Sequence, residues 1–414
     1  MAKLLADPVT LPCGLVFKNR LIKAAMAENM SKDQAPNDNF TIAYEAWGRG
    51  GFGGILPGNV QINEKFLGSP GDLAFVDLDN PEVKEKWKQY AAACRVEGTP
   101  TIVQVCHTGR QSLPGSGTRG FFEKTVAPSP IPLSLGDSLI ARLFRSLLLG
   151  TPREMSTSEI HEMVRKFAEA AKFLAEVGFD GIQLHAAHGY LLSLFMSSTL
   201  NQRQDSYGGS PENRVRVVVE IIKAIREVAP PNFAVGIKMN SVDLQHSGDL
   251  TASMQQIQLI IDAGIDFLEI SGGTFEDPQM MGRDQPTART AAREAFFLDF
   301  AKAVRSKFPH VVLMVTGGFR TLAGMRNALD SDACDLIGIG RPTVINPSWP
   351  KELLEKERQD ASTELKLAPV QPALAVRMIP IKALGAGAES AYYQKEIHRM
   401  SKGLPTRPPG GVAA

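Results

Sequence analysis

The sequence predicts one α/β domain of the (β/α)8 barrel class. Short runs rich in Val, Ile and Leu alternate with longer segments of helical periodicity, and eight such pairs fit within the 414 residues. The short runs are apolar throughout instead of alternating, which is typical of parallel strands buried on both faces. A doubly wound open sheet is the main alternative, but the first strand lacks the Gly-x-Gly-x-x-Gly turn of dinucleotide-binding folds.

The predicted elements follow one another as strand–helix pairs. Strands are expected at residues 21–25, 54–57, 101–105, 181–184, 234–239, 267–270, 311–315 and 336–339. Helices are expected at residues 41–49, 81–97, 157–177, 211–228, 251–263, 293–307, 321–328 and 347–356. Loops of ordinary length connect nearly all of them, as a compact barrel requires.

Several helix ends carry local signals. Pro81 and Pro211 stand at first-turn positions, where the missing N–H group costs little. Ser158 precedes a Glu- and Ala-rich pattern and is expected to cap that helix. Gly178 and Gly264 end helical runs, as glycines in left-handed caps do. These signals place five helix boundaries independently of the apolar pattern.

Two segments lie outside the barrel pattern, so residues 1–358 are expected to form the barrel and 359–414 a C-terminal extension. Residues 107–156, rich in Gly, Pro and Ser, form an excursion after the third strand that predicts a capping lid or small subdomain. Its apolar part, 139–149, is too short to span a bilayer and is expected to pack on its own domain or a partner; an interfacial helix is the alternative. The extension is expected to be helical near 389–401 and disordered at its end.

Composition excludes several classes of function. Lys and Arg number 45 against 44 Asp and Glu, which gives no electrostatic argument for nucleic acid or an anionic membrane. The four cysteines form no Cys-x-x-Cys motif, and the N-terminus has no long apolar core of a signal peptide. The chain is therefore expected to be cytoplasmic, without a transmembrane segment. The excursion and the tail are the natural places for a contact in a homodimer.

The fourth strand ends in the most informative group of side chains. His185, His188 and Tyr190 follow one another where that strand stops, at the end of the barrel where active sites are built. Imidazoles can polarise a carbonyl group, and a phenol can deliver a proton. A His-x-x-His pair could also bind metal or be structural. No further ligands stand at a recognisable spacing and His-Glu-x-x-His is absent, so no metal is expected.

The last two strands predict a phosphate site. Gly317 and Gly318 follow the seventh strand, and Gly340 and Arg341 follow the eighth, where barrels commonly bind phosphate. Glycines let backbone N–H groups approach phosphate oxygens, and arginine adds a charge-assisted pair. Glycines that only serve tight turns are the alternative. With Gln104 and Lys238 across the mouth, the arrangement favours a nucleotide-like cofactor.

A long block of this sequence resembles the signature of the old yellow enzyme family of flavin oxidoreductases. The block comprises His-Ala-Ala-His-Gly-Tyr-Leu-Leu from His185 and Leu-Asn-Gln-Arg-Gln-Asp-Ser-Tyr-Gly-Gly-Ser-Pro-Glu-Asn-Arg ending at Arg214. Other matches occur in the family's order between about Leu4 and Trp349, namely Asn19-Arg20, Gln104, His107-Thr-Gly-Arg, Lys238 and Gly338-Ile-Gly-Arg-Pro. The resemblance implies non-covalent FMN, NAD(P)H as hydride donor, and an electron-poor alkene or quinone as substrate: an α,β-unsaturated carbonyl, nitro or quinone compound whose C=C bond is reduced.

The resemblance also implies the role of each residue. His185 and His188 would hold the substrate oxygen, where negative charge develops, and Tyr190 would protonate the α-carbon. Lys238 and Gln104 would face the pyrimidine edge of the flavin, where a cation favours the reduced form. The other cofactor contacts would come from backbone at strand ends: Ala25, Met26, Ala27, Gly58, Gln104, His185, Gly317, Gly318, Gly340 and Arg341.

Two other functions stay open on the sequence. One is a pathway-specific flavin oxidoreductase or isomerase of secondary metabolism, and the other is a catalytically silent barrel that serves as a scaffold. The intact set of His185, His188 and Tyr190 argues against the scaffold. The missing cysteine cluster argues against the iron–sulfur branch of the superfamily. We interpret the polar run 201–214 as structural.

Ala27 departs from the family pattern, because many relatives carry Thr or Cys there and donate a hydrogen bond to the flavin. A charge-directed hydrogen bond contributes roughly 1.5–3 kcal/mol, and about 1.4 kcal/mol corresponds to roughly 30 mV for two electrons. We expect Ala27→Thr to raise the flavin midpoint potential, measured by spectroscopic redox titration. Ala27→Val, which adds bulk without a donor, is the control. An unchanged or lowered potential in Ala27→Thr would contradict the prediction.

Overall fold

The computed structural model describes residues 3–120, 122–134, 138, 142, 149–240, 250–271, 288–370 and 382–410. Its strands are β1 (Val9–Thr10), β2 (Val16–Phe17), β3 (Leu21–Lys23), β4 (Gly54–Ile55), β5 (Val60–Gln61), β6 (Ile102–Cys106), β7 (Val126–Ala127), β8 (Arg153–Glu154), β9 (Gly181–Ala186), β10 (Ala234–Asn240), β11 (Phe267–Ser271), β12 (Val312–Thr316) and β13 (Leu336–Ile339). Its α-helices are α1 (Asp38–Gly48), α2 (Pro81–Cys94), α3 (Thr157–Val177), α4 (Leu191–Met196), α5 (Pro211–Val228), α6 (Leu250–Asp262), α7 (Ala288–Lys307), α8 (Leu322–Asp330), α9 (Pro342–Ile345), α10 (Trp349–Arg358) and α11 (Lys382–Met400).

The central sheet is a closed parallel barrel, which confirms the predicted fold class. Its strands lie in the order β4-β3-β13-β12-β11-β10-β9-β6-β5, and every adjacent pair is parallel. β4 and β5 are two parts of one barrel strand that is interrupted between Ile55 and Val60. The Ile55 N–H donates to the Pro100 carbonyl at 2.9 Å, and the Gln104 N–H donates to the Pro57 carbonyl at 2.9 Å. These bonds join the interrupted strand to β6 and close the ring.

The barrel interior changes from apolar to polar along its axis. The amino ends of the strands contribute buried apolar side chains, namely Ile22, Ile102, Ala234, Phe267 and Leu336. The antiparallel hairpin β1–β2, which the sequence did not predict, packs Val9 and Phe17 on this cluster. Further along the same strands the interior positions carry buried polar side chains instead. The functional groups therefore lie at one end of the barrel.

The helices pack outside the sheet, and two of them have the predicted bounds, α3 and α5. The cap of α3 differs from the prediction: Ser156, not Ser158, accepts from the Glu159 N–H, and Glu159 reciprocates in a capping box. The helix ends at Gly178 with φ of 100°, as predicted. The cap lies before Thr157 because the capping residue must itself have extended backbone.

Both predicted segments outside the barrel have ordered parts. In the excursion, β7 pairs in parallel with β8, while residues 135–137, 139–141 and 143–148 lie outside the described residues, with most of the apolar run. α11 begins seven residues before the predicted 389. Residues 405–410 were expected to be disordered, yet Arg407 N–H donates to Glu396 at 2.7 Å and Thr406 donates to the Ile345 carbonyl at 3.0 Å. None of the helices in the described ranges is long and apolar enough to cross a membrane.

The corrected cap gives a stability prediction. Ser156→Ala removes the oxygen that accepts from the Glu159 N–H, and loss of such a cap costs about 1 kcal/mol. We expect a lower midpoint in urea denaturation, followed by far-ultraviolet circular dichroism. The matched control is Ser158→Ala, at the second residue of the helix. Equal midpoints for the two variants would show that Ser156 is not the effective cap.

Candidate active site

The catalytic candidates stand on a tight turn after β9. His185 is the second-to-last residue of the strand. The chain then turns through His188, with φ of 60°, and Gly189, with φ of 74°. A left-handed conformation is uncommon for a non-glycine residue and is often found at functional sites. The Gln111 amide donates to the His188 carbonyl at 2.8 Å and so ties the turn to the loop after β6. The turn brings the ring of Tyr190 to 4.7 Å from that of His185.

Both imidazoles are neutral at neutral pH. Burial lowers the pKa of His185 well below its usual value, and nearby His188 and Lys238 lower it further. Burial also lowers the pKa of His188 to about 3, again with Lys238 contributing. His185 Nδ1 accepts from the Ala187 N–H at 3.3 Å, so its proton resides on Nε2. His185 therefore presents a neutral N–H donor to the barrel mouth.

His188 and Tyr190 complete the group. His188 Nε2 lies 3.2 Å from Ser271 Oγ, at the end of β11, and the hydroxyl can donate or accept there. Tyr190 is partly exposed and is the N-cap residue immediately before α4. Burial raises the pKa of its phenol above the ordinary value, with Cys106 and Asp72 adding to the effect. Tyr190 thus keeps its proton across the physiological pH range.

A chain of polar side chains crosses the interior below these groups. Gln104 Nε2 donates to Gln183 Oε1 at 2.7 Å, and Gln183 Nε2 donates to Glu269 Oε2 at 2.7 Å. Lys238 Nζ lies 2.9 Å from Glu269 Oε1. The sequence predicted Gln104 and Lys238 as site residues but missed Gln183 and Glu269. A polar residue in the middle of an apolar strand was the available signal.

The loop after β3 carries the predicted backbone contacts Ala25, Met26 and Ala27. It lies against the second barrel strand: a Cβ atom at Gly58 would be 2.0 Å from the Met26 carbonyl oxygen, so only glycine fits. Glu28, which the sequence analysis missed, is buried and accepts from the Gly58 N–H at 3.2 Å. This contact fixes the loop against the interrupted strand.

Behind this loop lies a buried charged group that was also missed. The Tyr44 hydroxyl donates to Glu28, and Lys23 Nζ lies 3.0 Å from the same hydroxyl and 4.2 Å from the Trp47 ring centroid. Burial lowers the pKa of Lys23 to about 8, opposed by Glu28, and burial raises the pKa of Glu28. The group supports the backbone of the site from behind.

The predicted phosphate site lies on the glycine-rich turns after β12 and β13. Gly317 has φ of 143° and Gly318 φ of 78°, conformations that side chains with Cβ rarely adopt. A Cβ at Gly340 would lie 3.7 Å from Met26 Sδ, which is an ordinary van der Waals contact, so this turn packs against the loop after β3. Arg341, predicted as a phosphate contact, is ion-paired in this structure with Glu389 of α11. The sequence could not show this partner, because Glu389 is far away along the chain.

Most of the predicted site residues lie at the carboxyl ends of barrel strands or in the loops that follow, whereas Gln104 and Lys238 lie within β6 and β10 and Gly58 in the interruption of the second strand. In the part of the chain that the structure describes, no three His, Cys, Asp or Glu side chains converge as a metal site. The donor set fits a flavin phosphate ester: glycine-rich turns and a guanidinium for the phosphate, and amide and ammonium groups for a polar heterocycle.

Barrels with acid–base groups at the carboxyl end of one strand and glycine-rich turns after the last two form a large class of cofactor-dependent enzymes. Within that class, the chain belongs to the NADH:flavin oxidoreductase / NADH oxidase family, whose model matches residues 5–361. The match confirms the family expected from the sequence, with FMN as cofactor and a nicotinamide nucleotide as electron donor.

Two fungal relatives share most of this chain. An NADH-dependent flavin oxidoreductase of Neonectria sp. is 42% identical over 98% of this chain but 56% of its own length. This chain therefore spans little more than half of that relative. An NADH-dependent flavin oxidoreductase of Talaromyces variabilis is 42% identical over 96% of this chain and 98% of its own length.

Solved structures support the fold. Morphinone reductase superposes with a TM-score of 0.70 at 24% identity, over 89% of this chain and 92% of its own. An old yellow enzyme homologue of Zymomonas mobilis superposes with a TM-score of 0.68 at 23% identity, over 85% and 92% of the two chains. At these identities the likeness establishes the shared barrel.

The pairing of Arg341 with Glu389 predicts how FMN affinity responds to mutation. Glu389→Gln removes a carboxylate that competes for Arg341 and that would repel a phosphate. For a partly exposed pair we expect a gain of about 1 kcal/mol, or roughly fivefold in Kd. The measurement is fluorescence titration of apoprotein with FMN and with riboflavin, which lacks the phosphate. Weaker FMN binding, or an equal gain for riboflavin, would contradict the assignment of this rim to the phosphate.

Proposed function

We propose that this chain reduces the activated C=C bond of α,β-unsaturated carbonyl, nitro or quinone compounds with electrons from NADH or NADPH. The observation that carries the proposal is the pair of neutral imidazoles beside a protonated phenol at the end of β9. A neutral N–H donor binds a substrate oxygen and strengthens that bond as negative charge develops on the oxygen. A protonated phenol then supplies the proton that reduction of a C=C bond requires.

Each residue has a distinct role in the proposed reaction. His185, whose Nε2 carries the proton, orients the substrate by donating to its oxygen, and His188 provides a second ring nitrogen nearby. Tyr190 donates its proton to the carbon next to the polarised group. Bound FMN supplies the two-electron carrier between the nicotinamide and the substrate. Lys238 and Gln104 hold the polar edge of that cofactor.

The names of the relatives favour NADH as donor, since both fungal proteins are NADH-dependent flavin oxidoreductases. FMN binding and turnover of an enone distinguish the other functions considered from the sequence. Steady-state turnover of NADH with a simple cyclic enone tests the proposal directly. Protein that binds FMN but does not consume the enone would instead indicate a pathway-specific oxidoreductase or an isomerase. Protein that does not bind FMN would indicate a scaffold.

The role of Tyr190 gives a prediction for the two half-reactions. Tyr190→Phe removes the proton donor and keeps the ring, and loss of a general acid typically slows a reaction by about 10²–10⁴-fold. We expect this loss in the oxidation of reduced enzyme by enone, followed by stopped-flow absorbance of the flavin. Reduction of the enzyme by NADH should change by less than about threefold, because no such proton is needed there.

A matched control is Tyr207→Phe, which removes a phenol that hydrogen-bonds Glu220 at 2.9 Å beside α5. Both half-reactions of this variant should keep their rates. Equal slowing of both half-reactions in Tyr190→Phe, or no slowing with enone, would show that another group donates the proton.

A further inference from the structure

We propose that Glu269 is a positioning residue that orients Lys238 and Gln104 toward the cofactor and sets the cofactor's reduction potential. The inference rests on the proposed placement of Lys238 at the flavin. It adds Glu269, which contacts Lys238 and Gln183 and is itself fully buried. The argument depends on the polar chain Gln104–Gln183–Glu269–Lys238, whose distances are given above.

The ionised carboxylate of Glu269 determines the orientation of both amides. A carboxylate can only accept hydrogen bonds, so Gln183 must direct its NH₂ group toward Glu269. The Gln183 carbonyl oxygen then faces Gln104 and accepts from its NH₂ group. Gln104 is left with its carbonyl oxygen and one N–H for the barrel mouth. A neutral residue at 269 would remove this constraint.

Burial makes the ion pair obligatory. The side chain of Glu269 is fully buried and that of Lys238 is 4% exposed. A buried charge that loses its partner is strongly destabilising, whereas replacing both charges by neutral groups is often tolerated. Lys238 is therefore held at Glu269, and its ammonium group is the last member of the hydrogen-bonded series Gln104–Gln183–Glu269–Lys238.

The pair also determines the charge that the barrel presents to the cofactor. The reduced cofactor carries more negative charge than the oxidised one, so Lys238 favours reduction and Glu269 opposes it. With both present, the net charge of the pair is zero. Removal of the carboxylate alone should raise the potential, and removal of the ammonium alone should lower it.

The test is a charge cycle in the FMN-bound protein, with midpoint potentials from spectroscopic redox titration at pH 7. Glu269→Gln keeps the side-chain shape and one acceptor oxygen in place of two, and it removes the charge. We expect its reduction equilibrium to shift at least tenfold toward the reduced form, which corresponds to about 30 mV for a two-electron couple. Lys238→Gln should shift the equilibrium in the opposite direction, and the double variant should lie between the two single variants.

The matched control is Glu357→Gln. Glu357 is also a buried carboxylate, but it accepts from the Leu5 and Ala6 N–H groups near the amino end of the barrel. Its substitution should leave the potential unchanged. FMN affinity of each apoprotein, measured by fluorescence, provides a second readout: Glu269→Gln should change it, because Gln104 loses its fixed orientation.

The outcomes separate the two proposals. An unchanged or lowered potential in Glu269→Gln, with the expected drop in Lys238→Gln, would overturn the role of Glu269 alone. An unchanged potential in Lys238→Gln would show that Lys238 does not face the cofactor, and the proposed site would fail. If Glu269→Gln does not fold, the double variant is compared with Lys238→Gln. It must have the higher potential, and equal potentials would overturn the role of Glu269.

Discussion

Between Ile55 and Val60 the second barrel strand is interrupted, and backbone hydrogen bonds to β6 hold the barrel closed across the gap. Closure gives every strand two parallel neighbours and brings all their carboxyl ends to one rim. The gap also contains Gly58, whose backbone lies against Met26 and donates to Glu28. The same irregularity therefore closes the barrel and holds the loop after β3, which carries the predicted backbone contacts to the cofactor.

Buried charge is the second constraint on the site. Lys238 pairs with Glu269 inside the barrel, and Lys23 reaches Glu28 through the hydroxyl of Tyr44. Each charged group would be strongly destabilising alone in such surroundings, so each partner must be retained. The first pair lies below the predicted flavin edge and the second behind the predicted flavin backbone contacts. Both groups fix the position of buried polar side chains through these contacts.

Sequence patterns predicted the helices and strands whose ends depend on nearby residues. The bounds of α3 and α5 follow from amphipathic periodicity with a proline or a glycine at an end, and the strands follow from apolar runs. The family block from His185 gave the catalytic candidates. Gln183 and Glu269 stand out as polar residues within apolar strands, but their contacts with Gln104 and Lys238 could not be predicted, because barrel register decides which mid-strand side chains meet. The β1–β2 hairpin was missed because its strands have only two residues each.

Nearly all of the C-terminal extension follows the family match, which ends at 361. Its helix α11 contacts the loop after β3 and the residue that follows Gly340 after β13. His398 lies 2.9 Å from the Glu28 carbonyl, on the loop after β3, and Glu389 pairs with Arg341 after β13. β3 and β13 are neighbours in the barrel, so α11 bridges the first and last strands at the cofactor rim. A carboxylate at that place competes with a phosphate for the same guanidinium. On the proposed placement of the phosphate at Arg341, the ion pair that anchors α11 would be shared or broken when the cofactor binds.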